Sequence, residues 1–302
     1  MKVLVTGVCG QLGYDVMREL ARRGHEGVGC DLAPAISELA ADRVMDGMRI
    51  LPMDITNRME VEGILLGEKP DAIIHCAAWT NVDLAEDHEE QVRTINADGT
   101  RNIARICRTL GCKMTYISTD YVFDGEGEKP WTPDSETYGP LNVYGKTKLE
   151  GEMAVRELLE KYFIVRIAWV FGLHGKNFIK TMISVGKTRD EVSVVCDQIG
   201  TPTYTVDLAR LLVDMNETDK YGCYHATNEG GYISWYEYCC EFYAQYGLIT
   251  KVNPVTTEEY GRSKAARPAN SRLDRRKIEE AGFKPLPDWR DAVRRYLKEA
   301  QL

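Results

Sequence analysis

The chain has 302 residues, with 38 Lys and Arg residues against 46 Asp and Glu residues, so its formal net charge is −8. Apolar residues make up 44% and charged residues 28%, which is ordinary for globular proteins and disfavours disorder. The acidic balance argues against nucleic-acid binding, which needs clustered positive charge. No stretch reaches the roughly 18 apolar residues of a membrane helix, and no signal peptide is recognisable. The nine cysteines form no C-x-x-C pair, so we expect free thiols, no metal site and a cytoplasmic protein.

Short apolar runs alternate with amphipathic segments in the first half of the chain. The runs are nearly continuous, which is typical of strands that are covered on both faces of a sheet. They predict strands over residues 2–6, 27–31, 50–54, 72–76, 113–118 and 163–169, separated by helices over 11–23, 58–66, 91–110 and 142–161. This order requires right-handed crossovers, so the sequence predicts an α/β fold with a doubly wound, Rossmann-like parallel sheet.

The alternation becomes irregular after about residue 170. Strands are predicted over 192–196 and 223–226, and helices over 205–215, 234–246, 274–281 and 289–300. We therefore expect a dinucleotide-binding domain over 1–170 and a smaller, partly interleaved substrate lobe over 171–302. Residues 203–217 are a candidate for packing back on the first domain.

Three glycines follow the first predicted strand and begin the first predicted helix. In this pattern Gly7 allows a sharp turn, Gly10 lets the backbone approach a pyrophosphate, and Gly13 allows close packing of helix on strand. The helix N-terminus offers free N–H groups to the phosphates, so Gln11 and Leu12 join the candidate cofactor-binding residues. The position of the pattern, in the first βα turn, makes a dinucleotide site the favoured interpretation.

An acidic residue, Asp31, ends the second predicted strand, 18 residues beyond Gly13. Such a carboxylate accepts hydrogen bonds from the adenosine ribose and disfavours a 2′-phosphate. No arginine follows directly, so we expect NADH or NADPH as the cofactor, with NADH favoured. Asp54 and Ile55 are candidates for contact with adenine. The small residues after the fourth strand are candidates for backbone contact with the cofactor: Ala77, Ala78 and Thr80.

A tyrosine and a lysine, Tyr144 and Lys148, lie four residues apart and therefore on one face of a predicted helix. An ammonium at roughly 5–6 Å and an effective dielectric of about 20 stabilises a phenolate by about 3 kcal/mol. This is expected to lower the Tyr144 pKa by about 2, towards the range useful for general acid catalysis. Thr119, at the end of the fifth strand, is positioned to hold the same carbonyl oxygen. Lys146 points away, and Asn96 is a candidate to brace Lys148 through water.

These residues resemble the extended short-chain dehydrogenase/reductase superfamily and, within it, the dTDP-4-dehydrorhamnose reductase family. The resemblance implies reduction of the 4-keto group of dTDP-4-dehydro-L-rhamnose to dTDP-L-rhamnose by NADH or NADPH, for cell-wall polysaccharide. It also implies Thr119, Tyr144 and Lys148 as the catalytic residues, with Tyr144 and Lys148 also contacting the cofactor. The stretches that carry the resemblance are 6–13, 74–86, 118–125, 140–152, 166–172, 197–204 and 267–273.

The resemblance also implies a nucleotide-sugar site. Asp120 and Trp169 would contact the sugar, and three further residues would lie near the nucleotide: Arg267, Asn270 and Ser271. Related dehydratases carry Thr-Asp-Glu where this chain has Thr-Asp-Tyr, so ketone reduction is favoured over dehydration. Two alternatives stay open, which are another nucleotide-sugar reductase or epimerase and a non-catalytic subunit like the β subunit of methionine adenosyltransferase. Homodimer formation is also left open.

Overall fold

The computed structural model describes residues 1–41, 47–261 and 263–301. The predicted strands of the first half are present, with bounds that differ by at most two residues at either end. The described strands are β1 (Lys2–Thr6), β2 (Glu26–Asp31), β3 (Arg49–Pro52), β4 (Ala72–His75), β5 (Lys113–Thr119), β6 (Tyr162–Ile167), β7 (Val170–Phe171), β8 (Glu191–Val195), β9 (Ile199–Gly200), β10 (Thr203–Tyr204), β11 (Gly222–His225), β12 (Ile233–Ser234) and β13 (Lys251–Val255).

Seven of these strands form one parallel sheet in the order β11-β6-β5-β4-β1-β2-β3. The strand order reverses direction between β1 and β4, and the carboxyl ends of these two strands mark the crevice where ligands of doubly wound sheets bind. The predicted α/β class and the doubly wound sheet are therefore confirmed. The strand predicted over 223–226 is β11, and it pairs with β6 at the sheet edge, with Gly222 opposite Phe163.

The helices follow the strands as parallel crossovers require. They are α1 (Gln11–Arg22), α2 (Ala33–Ala41), α3 (Arg58–Glu68), α4 (Val82–Ala85), α5 (Glu89–Arg93), α6 (Thr100–Leu110), α7 (Val143–Leu158), α8 (Phe178–Gly186), α9 (Thr205–Asn216), α10 (Trp235–Tyr246), α11 (Thr257–Tyr260), α12 (Arg276–Glu280) and α13 (Trp289–Ala300), together with a π-helical turn over Thr94–Gly99 and a 3₁₀ turn over Asp120–Val122.

Helices cover both faces of the sheet, which explains the nearly continuous apolar runs of its strands. On one face, α1 and α9 bury Leu20 and Leu212 against Val5 and its neighbours. On the other face, α3, α6 and α7 cover the strands, and Ile103 is one of the residues fully buried there. No helix in the described ranges is long and apolar enough to cross a membrane.

The second half of the chain adds a lobe with its own aromatic core. Helices α8, α10 and α13 bury Phe242 and Trp289 together, beside the parallel pair formed by β8 and β13. Helix α9 and strand β11 belong instead to the layers of the main sheet. The division of the chain at residue 170 stays a prediction.

Several elements depart from the predicted pattern. The helix predicted over 91–110 consists of α5, the π-helical turn and α6, because hydrogen bonding widens over Thr94–Gly99. Four further helices, α2, α4, α8 and α11, are absent from the prediction. The helix predicted over 274–281 is confined to Arg276–Glu280.

Candidate active site

The glycine turn is so tight that a side chain at any of the three predicted glycines would approach backbone atoms closely. Gly7 has φ +72°, and a Cβ there would lie 2.7 Å from the backbone nitrogen of Ala77. A Cβ on Gly13 would overlap the carbonyl of Gly7. Gly10 precedes α1 with an extended backbone, and its N–H donates to the Gly7 carbonyl at 3.1 Å. The first N–H groups of α1, including those of Gln11 and Leu12, are therefore directed at the switch point, as a dinucleotide phosphate requires.

The carboxylate of Asp31 lies beside this turn at the end of β2. One oxygen accepts the N–H of Cys9 at 2.9 Å and the other accepts the N–H of Leu32 at 2.8 Å. Burial, reinforced by Asp31, raises the pKa of Cys9 to about 12, so this thiol stays protonated. Asp54 follows β3 and accepts from the backbone and hydroxyl of Thr56, at 2.8 and 2.7 Å.

The loop after β4 is held in place by the side-chain amide of one buried residue. Asn96, in the π-helical turn, accepts the Trp79 N–H at 2.8 Å and donates to the Trp79 carbonyl at 3.2 Å. It also donates to the Thr147 hydroxyl at 3.2 Å. Asn96 thus directly supports the loop that carries Ala77, Ala78 and Thr80, and the bracing of Lys148 by Asn96 through water stays a prediction. The Ala77 N–H donates to the Thr6 hydroxyl at 3.2 Å, which holds this loop against β1.

Helix α7 brings Tyr144 and Lys148 to the end of β5, where Thr119 lies. The helix begins there because Asn142 caps it, accepting the Gly145 N–H at 2.8 Å. The Lys148 side chain is only 4% exposed, and its ammonium lies 4.1 Å from the centre of the Tyr116 ring. Tyr116 was not among the predicted site residues, since its position under the lysine depends on sheet packing.

Burial dominates the electrostatics of this pair. It lowers the pKa of Lys148 to about 7, and the charge of Glu152 opposes that shift only in part. The Glu152 carboxylate is itself bound by Arg166, at 2.8 and 2.7 Å, so much of its charge is neutralised. Burial also raises the pKa of Tyr144 above 10, against a hydrogen bond with Thr119 that lowers it. The expected lowering of the Tyr144 pKa is therefore wrong for the cofactor-free chain, because desolvation of the phenol and the charge of Asp120 raise the pKa by more than the Thr119 hydroxyl lowers it.

Asp120 and Ser271 meet beside Thr119. The Thr119 hydroxyl donates to Asp120 Oδ1 at 2.9 Å. Burial raises the pKa of Asp120 to about 6, while the Ser271 and Thr119 hydroxyls lower it. Ser271 therefore lies next to Asp120 and Thr119, and its expected position near the nucleotide stays a prediction.

Trp169 has a strained backbone, with φ +50°. Its ring stacks on Trp235 at 3.8 Å between centroids, and a Cβ on Gly200 would lie 2.9 Å from it. The conformation aims a broad aromatic face at the junction between sheet and second lobe. Trp235 was missed in the sequence, where nothing distinguishes it from a core aromatic residue.

Arg267 and Asn270 are engaged by other parts of the chain. Both terminal nitrogens of Arg267 donate to Asp83, at 3.1 and 2.8 Å. The Asn270 amide donates to the carbonyls of Glu126 and Lys129, and its oxygen accepts from Arg272. These contacts hold Asn270 in place, and the predicted contacts of Arg267 and Asn270 with the substrate stay predictions.

The residues 264–267 form a strap, held to α4 of the first half by Asp83. Besides Arg267, Asp83 accepts the N–H groups of Lys264 and Ala265 at 3.1 and 3.0 Å.

Asp83→Asn is expected to lower the free energy of unfolding by about 1 kcal/mol, the size of a partly exposed, hydrogen-bonded ion pair. Arg267 holds the Asp83 pKa below its ordinary 3.8. The stabilisation by Asp83 is therefore complete above about pH 5 and is lost as the pH falls through the pKa of the folded chain. Urea unfolding above pH 5 and again below that pKa measures the loss.

Asp87→Asn is the control for that experiment, because Asp87 also pairs with the strap, through Lys264, but is exposed. It should leave the free energy of unfolding unchanged. Equal losses in the two variants would mean that Asp83 acts only through general surface charge.

The doubly wound sheet, the glycine turn at its switch point and the group Thr119, Tyr144 and Lys148 are typical of the short-chain dehydrogenase/reductase class. Within that class the chain belongs to the family described as RmlD substrate binding domain, whose model matches residues 1–302.

Known relatives are similar over almost their whole length. The spore coat polysaccharide biosynthesis protein SpsK of Bacillus subtilis is 39% identical, over 99% of this chain and 97% of that protein. A crystal structure of a dTDP-4-dehydrorhamnose reductase from Clostridium acetobutylicum is 40% identical and covers 100% of both chains, with a TM-score of 0.89. The same enzyme from Bacillus anthracis, in complex with NADP, is 38% identical over 99% of both chains, with a TM-score of 0.87.

Proposed function

We propose that this chain reduces the 4-keto group of dTDP-4-dehydro-L-rhamnose to dTDP-L-rhamnose, using a nicotinamide cofactor. The observation that carries the proposal is the convergence of Tyr144, Lys148 and Thr119 at the carboxyl end of β5, in a chain of this family. The two named reductases of known structure are covered over 100% and 99% of their chains.

The glycine turn fits a dinucleotide because no side chain of Gly7, Gly10 or Gly13 fills it. The N–H groups of Gln11 and Leu12 would hold the pyrophosphate, Asp31 the adenosine ribose, and Lys148 the nicotinamide ribose. Ala77 and Ala78 leave room for the cofactor beside β4. When bound, the reduced cofactor supplies the hydride.

Tyr144 is the proton donor to the developing alkoxide. Since burial raises its pKa, it is fully protonated at neutral pH before each reduction. Thr119 donates its hydroxyl proton to Asp120 Oδ1 in the cofactor-free chain. With substrate bound, this hydroxyl would turn to the carbonyl oxygen and orient it. Lys148, whose pKa of about 7 leaves it partly charged at neutral pH, stabilises the phenolate that remains when Tyr144 gives up its proton.

Reduction is favoured over dehydration by the residue that follows Asp120. Tyr121 stands where related dehydratases have glutamate, and its ring meets that of Tyr144 edge-on at 5.7 Å. Burial raises the Tyr121 pKa, so its hydroxyl is protonated and cannot act as a base at neutral pH. No carboxylate base is supplied from this position.

The test is an assay of the full chain against several dTDP- and UDP-linked 4-keto sugars with NADH and NADPH. We expect cofactor oxidation with dTDP-4-dehydro-L-rhamnose, and dTDP-L-rhamnose as product by nuclear magnetic resonance. Faster oxidation with its C5 epimer or a UDP sugar would support another nucleotide-sugar reductase. Cofactor binding without turnover of any keto sugar would support a non-catalytic subunit.

We propose in addition that NADH is preferred to NADPH. The Asp31 carboxylate is held in place by two backbone N–H groups, so it cannot swing away from a 2′-phosphate. Asp31→Asn keeps an acceptor and removes the charge, and we expect the ratio of kcat/KM for NADPH over NADH to rise roughly 10-fold, about 1.4 kcal/mol. Steady-state kinetics with both cofactors measures it.

Glu38→Gln is the control, since Glu38 is exposed but close enough for its charge to act on Cys9 in the turn. It should leave the cofactor ratio unchanged. A wild-type preference for NADPH, or no change in Asp31→Asn, would contradict the role given to Asp31.

A further inference from the structure

The backbone of Trp169 is held in a conformation that bulky residues rarely adopt. The two other non-glycine residues with positive φ in the described ranges, Lys69 and Gln301, each end a helix. Trp169, with φ +50°, lies instead between strands β6 and β7. Such a conformation is strained and persists only where the surrounding structure holds it. The contacts around Trp169 therefore have to supply that hold.

Trp169 stands at the carboxyl edge of the sheet, where the catalytic group lies. Thr119 and Ile167 are partners in the pairing of β5 with β6, and Trp169 follows Ile167 by two residues. A Cβ on Gly200 would lie 2.9 Å from the Trp169 ring and 3.1 Å from the Ser271 Cβ. The indole and Ser271 thus meet at Gly200, beyond the strand end that carries Thr119.

The indole of Trp235 lies against the ring of Trp169. The two rings stack with their centroids 3.8 Å apart and their planes 18° apart. Phe178, the first residue of α8, meets Trp235 edge-on at 4.6 Å. Trp235 is therefore packed between Trp169 and α8, and stacked aromatic pairs of this kind stabilise one another beyond the area that they bury.

The start of α10 fixes the position of Trp235. The Ser234 hydroxyl accepts the Glu237 N–H at 3.1 Å, and the Glu237 carboxylate accepts the Ser234 N–H at 2.7 Å, which is a capping box. Strand β12, which leads into this helix, pairs with β9 and places Ile233 opposite Gly200. The same pair of short strands thus places Gly200 beside one indole and begins the helix that carries the other.

Building on the proposed function, we propose that Trp235 is a positioning residue that holds Trp169 in its strained conformation for contact with the sugar. Without the stack, the backbone of Trp169 is free to relax, and its indole leaves the place it occupies beside Gly200. Trp235 lies on α10 of the second lobe, whereas Tyr144 and Lys148 lie on α7. Its effect is therefore on sugar binding, while cofactor binding and the chemical step stay nearly unchanged.

The test replaces Trp235 by leucine, which keeps an apolar side chain but cannot stack. We expect KM for the keto sugar to rise roughly 10-fold, with kcat within about 2-fold of wild type. The dissociation constant for NADH, from fluorescence titration, should not change. Stacked indoles couple their electronic transitions, so the wild-type chain should show a paired positive and negative band in circular dichroism that Trp235→Leu lacks. Trp235→Phe, which can still stack, should restore most of the sugar affinity.

Trp289→Phe is the control for general damage to the second lobe. Trp289 is buried in the same aromatic core, where it meets Tyr238 edge-on at 5.7 Å. This variant should unfold at a lower urea concentration than wild type, but it should keep the wild-type KM for the sugar and the paired band.

Three results would overturn the role given to Trp235. They are an unchanged sugar KM in Trp235→Leu, a paired band that survives this substitution, and equal rises of sugar KM in Trp235→Leu and Trp289→Phe. A fall of kcat together with weaker NADH binding would also overturn it, because Trp235 would then support the whole fold. Absence of turnover in the wild-type chain would instead refute the proposed function, and circular dichroism would still test the stack.

Discussion

Replacing Tyr144 by phenylalanine is expected to lower kcat by 10²-fold or more while leaving cofactor affinity nearly unchanged. The variant loses only the hydroxyl that protonates the alkoxide, and general acid catalysis contributes on the order of 10²–10⁴-fold. The neighbouring hydroxyls are poor substitutes, because burial raises the Tyr121 pKa and an aliphatic hydroxyl such as that of Thr119 is a far weaker acid than a phenol. Steady-state turnover and a fluorescence titration with reduced cofactor measure the two quantities.

Tyr162→Phe is the matched control, since it removes the same hydroxyl from the amino end of β6, across the sheet from the site. Its turnover should stay within 2-fold of wild type. Turnover above a tenth of the wild-type rate in Tyr144→Phe would show that another group, or water, protonates the product.

The sheet and the glycine turn could be predicted because both follow from local chemistry. Strands covered on both faces need apolar residues at almost every position, and the close approach of Gly13 to the Gly7 carbonyl excludes any side chain there. The pairing of β11 with β6 could not be predicted, because 54 residues lie between the two strands. A strand of four residues is also too short for its sequence to indicate which residues it pairs with. The π-helical turn could not be predicted either, because it is stabilised by a contact that is distant in sequence. In this turn the Asn96 side chain hydrogen-bonds the backbone of Trp79.

The residues of the site were easier to predict than their electrostatics. The spacing of Tyr144 and Lys148 in the sequence is enough to predict that their charges attract. Their pKa values also depend on how far the rest of the fold excludes water from the two side chains, which the sequence does not show. Burial raises one pKa and lowers the other, so the pair in the cofactor-free chain is closer to two neutral groups than to an ion pair. Likewise the sequence cannot show that the Asn270 amide donates to two backbone carbonyls, because these lie about 140 residues away along the chain.

Replacing Lys148 by methionine is expected to lower turnover strongly and to stabilise the cofactor-free chain. Burial lowers the Lys148 pKa from 10.5 to about 7, so the unfolded chain binds more protons between these values. The destabilisation by Lys148 is therefore complete below about pH 7 and fades as the pH rises to 10.5. Lys148→Met removes it, so the free energy of unfolding should exceed that of wild type by on the order of 1 kcal/mol or more near pH 6. Turnover should fall by roughly 10²-fold, because nothing then stabilises the phenolate.

Lys146→Met separates this effect from a general change of charge on α7. Lys146 lies two residues away on the same helix, but it is exposed and pairs with Glu89 at 3.0 Å. It should retain wild-type turnover, and the free energy of unfolding should not increase near pH 6. Urea unfolding of the three chains between pH 6 and pH 10 gives the comparison. If the free energy of unfolding of Lys148→Met exceeds that of wild type by the same amount at every pH, the gain reflects packing of the methionine. If the difference disappears towards pH 10, its cause is the buried ammonium of Lys148, which the fold tolerates for catalysis.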